Sequence, residues 1–293
     1  MEILCELFGK SRQAYYQRCK YNYKEAVKAE VLLQLVKNER KLMPKIGGRK
    51  LLEILKPRIP SELDLGRDAF FDFLRQNKLL VGKHRHRIRT TYSNHWLHKY
   101  PNLIRGFVPN SSNQLWVSDI TYIETASGFL YLSLVTDGFS RKIVGWHIGD
   151  TLEANNTEKA LKMALGQLSD GKHDLIHHSD RGVQYCSNNY VKLLQDRDIL
   201  ISMTENGDPR ENAIAERVNG ILKDEWLNDI KLKSVLDVRV HLKRIIKTYN
   251  QHRPHSSLDM KTPDFVHEQS VVYPRRWKNY YNSKPVSLDL LSE

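Results

Sequence analysis

A carboxylate stands in the middle of a run that otherwise reads as a buried strand. Residues 115–123, LWVSDITYI, are apolar, aromatic or β-branched except at Ser118 and Asp119. Such a run forms a strand, and a carboxylate carried into it must be paired, hydrogen-bonded or metal-bound. Two more β runs follow, GFLYLSLVT at 128–136 and RKIVGWHI at 141–148, with Asp137, Gly138 and Ser140 as turn residues between them. The pattern then alternates. Residues 157–168 predict a helix, 175–178 a strand, 188–197 a helix, 200–203 a strand and 212–226 a long helix. The order β-β-β-α-β-α-β-α predicts an α/β domain over 111–229, a mixed sheet covered by helices.

The flanks read differently. Residues 1–82 predict an all-α, helix-turn-helix-like region. Residues 2–8 and 11–20 are helices about a turn at Gly9, with Ser11 as N-cap. Residues 24–42 carry Val27, Val31, Leu35 and Leu42 at helical spacing, and Pro44, Gly47 and Gly48 stop the run. Two more short helices are expected at 49–55 and 68–78, which makes two helix-turn-helix-like units in series. Residues 83–110 predict a basic linker. Its first part, 83–105, holds six Lys/Arg, four His and no carboxylate. Lys83, Arg85, Arg87 and Arg89 suit a strap that tracks phosphates. His95 and His98 have no second pair to complete a zinc site. Residues 230–293 predict a basic C-terminal extension.

Charge separates the same parts. The net charge is +12 overall. It divides as +13 over 1–110 (23 Lys/Arg, 10 Asp/Glu), −7 over 111–229 (11 against 18) and +6 over 230–293 (12 against 6). Basic flanks suit a polyanion such as double-stranded DNA. An acidic centre between them suits carboxylates that hold divalent metal. No run of about 18 apolar residues is present for a membrane span. The three cysteines are scattered and make no disulfide framework, which fits a reducing cytoplasm, close to the nucleoid if the partner is DNA. Neither a GxxxxGK[ST] nor a GxGxxG loop occurs, so nucleotide-driven and dinucleotide chemistry have no motif here.

Three carboxylates form a set. Asp119 lies in the first strand, Asp180 directly follows the strand LIHHS, and Glu216 lies in the helix NAIAERVNGILKDEW. Thirty-five residues lie between Asp180 and Glu216. Three carboxylates from a strand, a strand end and a helix are able to hold two Mg²⁺ ions for phosphodiester chemistry. Lys223 is two turns beyond Glu216 on the same face. Asn212 on that helix and Arg181 beside Asp180 are candidate DNA contacts. Arg253 is open to two readings, a phosphate contact or a pin that holds the C-terminal tail to the core.

The runs WVSDITYI (116–123), HHSDRGVQY (177–185), ENAIAERVNGILKDE (211–225) and YNQHRPHSSLDMKTP (249–263) resemble the catalytic reading frame of bacterial insertion-sequence transposases of the IS-three family. The core of that family is similar to retroviral integrase. The resemblance covers roughly residues 1–270. It implies a ribonuclease-H-like fold for 111–229, with Asp119, Asp180 and Glu216 as catalytic and metal-binding triad. It also implies Mg²⁺-dependent DNA strand cleavage and strand transfer, with Mn²⁺ able to substitute, and Lys223 against the DNA. Element ends and target DNA are the implied substrates, and a homo-oligomer on DNA the implied assembly. Family enzymes usually carry an upstream helix-turn-helix and leucine zipper from a separate frame. This chain reads as the second frame, with the first as partner or fusion. Two rivals stay open at this point: a nuclease that stops at hydrolysis, and a non-catalytic DNA-binding regulator or inactive relic.

Overall fold

A computed structural model describes residues 11–60, 65–82, 96–169, 174–205, 209–230 and 232–269, with positions 3, 7 and 9 of the first ten. Lys83, Arg85, Arg87 and Arg89 lie outside the described residues. The chain divides into two compact units, 1–82 and 83–293. No helix among the described residues is long and apolar enough to cross a membrane.

The first unit is helical. Helix α1 spans Arg12–Leu42, α2 Gly48–Leu55 and α3 Arg67–Gln76. Ser11 caps α1 by accepting from the Ala14 amide at 3.1 Å. The separate helices expected at 11–20 and 24–42 are one helix of 31 residues. The physical reason is local: the junction Tyr21-Asn22-Tyr23 contains neither Gly nor Pro. Leu32, Val36, Met43, Ile46, Leu51, Leu55, Phe70 and Leu74 are buried and form this unit's core.

The second unit is built on a five-stranded sheet of order β3-β2-β1-β4-β5. The strands are β1 Leu115–Thr125, β2 Gly128–Asp137, β3 Ile143–Gly149, β4 Ile176–Ser179 and β5 Leu200–Met203. β1, β2 and β3 meander antiparallel, and β4 and β5 join parallel to β1. Only β2 therefore runs against the rest, which is the ribonuclease-H-like arrangement. The helices are α4 Ala154–Leu165, α5 Asn188–Gln195, α6 Ala213–Glu225, α7 Val235–Gln251 and α8 Pro263–Gln269.

Strand alternation sorts the two faces. Trp116 of β1 packs with Ala160, Leu161, Tyr190 and Leu194 of α4 and α5. Leu115 and Val117 pack with Ile176 and with Ala215 of α6. Asp119 is two residues beyond Val117, so it belongs to the α6 face.

Residues 232–269 close the free edge of β3. Asn250 on α7 donates to the Ile143 carbonyl and accepts from the Ile143 amide, both at 3.0 Å. This satisfies an edge strand that would otherwise present open main-chain groups. Tyr249 donates to the Arg141 carbonyl at 3.0 Å, and Lys142 pairs with Asp264 of α8 at 3.0 Å.

Gly145 of β3 lets α4 pack close against the sheet. A Cβ there collides with the Ala160 carbonyl oxygen and meets Ala164 at 2.9 Å. Both obstacles are main chain or short side chain, so neither can swing away. Gly145→Ala is expected to cost about 1–3 kcal/mol, read as a lower urea midpoint with unchanged slope.

Candidate active site

Strand order brings the two aspartates to the same end of neighbouring strands. β1 and β4 are parallel, with Trp116 opposite His177 and Val117 opposite His178. Carried two residues further, that register leads from Asp119 of β1 to Asp180, which directly follows the end of β4. Both are half-buried. Asp180 bends its own loop, accepting from the Gly182 amide at 3.0 Å.

Helix α6 is bonded to β1. Asn212, at its N-cap, donates to the Ser118 carbonyl at 3.0 Å. Asn219 donates to Asp119 Oδ2 at 2.8 Å. Glu216 falls between these two anchors at i+4 from Asn212 and i−3 from Asn219, so it shares their face. Lys223 continues that face at i+4 from Asn219, and both Glu216 and Lys223 are half-buried. The strand order thus brings the two aspartates to the same end of neighbouring strands, with Glu216 on the helix bonded to β1. It does not draw the three to one point: among the described residues no three His, Cys, Asp or Glu side chains are grouped to hold a metal ion.

The donor chemistry nevertheless fits a hard divalent cation. The face carries carboxylates and amides and no thiolate, the ligand type Mg²⁺ takes. The Oδ1 atoms of Asn212 and Asn219 are buried and have no hydrogen-bond partner among the described residues. A buried acceptor left so is costly, and it lies on the face where oxygen donors are needed.

A buried polar layer supports the pair from beneath. His177 Nε2 lies 2.8 Å from Ser118 Oγ and 2.9 Å from Tyr190 Oη. His178 Nδ1 lies 2.8 Å from Ser202 Oγ. Burial pushes His177 down to about 3, aided by the charge of His178. Burial likewise brings His178 down to about 4. Both imidazoles are neutral at pH 7, so they add no positive charge beside the carboxylates. Burial pushes the Tyr185 phenol up, and Tyr190, Asp180 and Asp119 push it the same way. The phenol therefore keeps its proton next to the site.

Two expected DNA contacts are corrected. Arg253 is fully buried, and its guanidinium grips both carboxylate oxygens of Glu225, at 2.7 and 2.6 Å, beside His255 at 2.9 Å. It pins the C-terminal segment to α6, the other of its two readings. Asn212 is only 5% exposed, and its amide is spent on Ser118, so it anchors the helix. Arg181 is half-buried and donates to the Glu205 carbonyl at 2.9 Å, which ties the Asp180 loop to the segment after β5. Asn206 and Gly207, in the segment before α6, lie outside the described residues. Asn219 shares the Glu216 face in the sequence, but its bond to Asp119 appears only in the structure, and Tyr185 carries no sequence signal of its own. The i+3 spacing from Glu216 was the signal for Asn219.

Two models of an "Integrase core domain" match residues 109–209 and 197–263. A 31 kDa protein of insertion element IS600 from Shigella sonnei is 31% identical over 270 residues, 91% of this chain and 98% of that protein. The transposase for insertion sequence element IS904 of Lactococcus lactis subsp. lactis is 36% identical over 165 residues, 56% of this chain and 65% of that one. A putative transposase for element IS986/IS6110 of Mycobacterium tuberculosis is 36% identical over 154 residues, 51% of this chain and 55% of that one. Among solved structures, the HTLV-2 integrase catalytic core domain in complex with magnesium superposes with a TM-score of 0.43 at 21% identity. It covers 54% of this chain and 97% of that one.

Proposed function

Because the chain belongs to the IS-three family of insertion-sequence transposases with an integrase-type core, we propose that it cuts and joins DNA strands at the ends of such an element. The observation that supports this reading is the parallel pairing of β1 with β4, whose register runs toward Asp119 and Asp180, together with the Asn219–Asp119 bond that ties the helix of Glu216 to β1. We propose these three as the residues that hold two Mg²⁺ ions. When bound, the ions supply the charge that lowers the pKa of an attacking hydroxyl and stabilises the leaving oxygen of a phosphodiester.

The chain's own residues do the rest. Asn219 fixes the orientation of Asp119. Asn212 and the Val117–Ala215 contact hold α6 against β1. Lys223, on the same face as Glu216, takes a phosphate of the bound DNA. Water first cleaves the phosphodiester at an element end and leaves a 3′-hydroxyl. That hydroxyl then attacks a second phosphodiester, so one P–O bond forms as another breaks and no nucleotide is consumed. Paired ends call for more than one copy on the DNA, with the upstream-frame protein as partner or fusion.

A second reading, a non-catalytic DNA-binding regulator, is favoured by one observation: the described carboxylates are not grouped as a metal site. Chelation separates the two readings. Labelled duplex carrying the element's end is incubated with the chain, alone and fused to its upstream frame. Nicked and joined products are expected in Mg²⁺, none in EDTA, and recovery when Mg²⁺ or Mn²⁺ is returned. Equal DNA binding in Mg²⁺ and EDTA with no cut product in either supports the regulator.

A further inference from the structure

The edge strand β3 lies between two helices. α4 packs on it at Gly145, and α7 runs along it where Asn250 holds Ile143. Between them is a cleft of about 240 Å³. Lys142 and Trp146 line it from the β3 side, Met163 from α4, and Lys243, Lys247 and Asn250 from α7. The one acidic residue in the lining is Asp264, and it is already paired with Lys142 at 3.0 Å.

The positive charge continues beyond the cleft. Arg239, Lys243 and Lys247 recur at i, i+4 and i+8 on α7 and are all exposed. They form one stripe, about 12 Å long at the helical rise. That is the axial length of three to four phosphates of one DNA strand. Lys159 of α4 is exposed too. His147 of β3 feels both helices: burial lowers its pKa first, and the charges of Lys159 and Arg239 lower it further.

The proposed catalytic carboxylates lie elsewhere. β2 separates β3 from β1. α4 covers the face that carries Trp116, whereas Asp119 is on the α6 face. The cleft thus lies at the β3 edge of the sheet, whereas Asp119 lies on the central strand and Asp180 follows the strand beyond it.

We infer that the cleft and the Arg239–Lys243–Lys247 stripe form a second duplex-DNA surface that takes the phosphate backbone of a separate DNA segment. This rests on the reading of the chain as a DNA-acting enzyme. The contacts are to phosphate and are independent of base sequence.

The test is fluorescence anisotropy of the full chain on a labelled duplex of arbitrary sequence, over a series of salt concentrations. The parent is compared with the triple variant Arg239→Gln/Lys243→Gln/Lys247→Gln. These side chains are exposed, and a thermal melt checks that the fold is kept. The parent should bind with a steep salt dependence. In the triple variant the slope of log K against log salt should fall by about two to three. Its affinity near 0.1 M salt should drop about 10- to 100-fold. A variant that binds with the parent's slope and affinity overturns the inference and leaves the enzyme reading standing. So does unchanged DNA binding with altered self-association in sedimentation, which would make this face a contact between copies. A parent that binds no duplex removes the DNA reading itself, and the inference with it.

Discussion

Glu216→Gln is expected to abolish strand cleavage, by about 10³-fold or more, while duplex affinity stays within about threefold of the parent. Gln keeps the shape of Glu and removes one negative charge. Glu216 is half-buried on a helix fixed at both sides by Asn212 and Asn219, and a thermal melt checks that the variant keeps the fold. What goes is a carboxylate at the centre of proposed metal chemistry, where several kcal/mol of transition-state charge stabilisation reside. About 4 kcal/mol is a thousandfold in rate. Single-turnover cleavage of a labelled terminal duplex reads the rate, and anisotropy on the same duplex reads the binding. A variant that cuts at the parent's rate would remove Glu216 from the chemistry.

Arg253→Met is expected to cost about 3–5 kcal/mol of stability. Its guanidinium is fully buried and held by both oxygens of Glu225. Removing it leaves the Glu225 carboxylate, itself largely buried, without its counter-charge, and breaking such a pair costs this much. Removing both charges avoids that penalty, so Arg253→Met/Glu225→Met should regain most of the loss. Urea denaturation measures each variant. A single variant that loses under about 1 kcal/mol but binds DNA poorly would restore Arg253 as a phosphate contact.

The sheet was legible because each strand carries its own β-branched or aromatic run with turn residues at its end. The parallel register of β1 with β4 was not legible, because it depends on pairing between strands far apart in sequence. The carboxylates stood out as charges in or beside apolar runs, and the β4 end is where ligands gather in open α/β sheets. Arg253 illustrates the limit. An arginine in YNQHRPHSS looks solvated until Glu225, 28 residues earlier, is folded against it. Asn212 and Asn219 are similar: polar helix residues whose work is visible only once β1 lies beneath them. In the first unit the error was local, a helix break expected at 21–23 where no residue breaks one.

The central claim is that three carboxylates on this core drive metal-dependent joining of DNA ends. Its most direct measurement is in cells. The gene with its flanking DNA is placed on a plasmid, with and without the upstream frame, and joined element ends are sought by PCR beside the Glu216→Gln variant. The account predicts joined ends from the parent and none from the variant. Joined ends that persist in the variant, or none from the parent even with the upstream frame supplied, would contradict it.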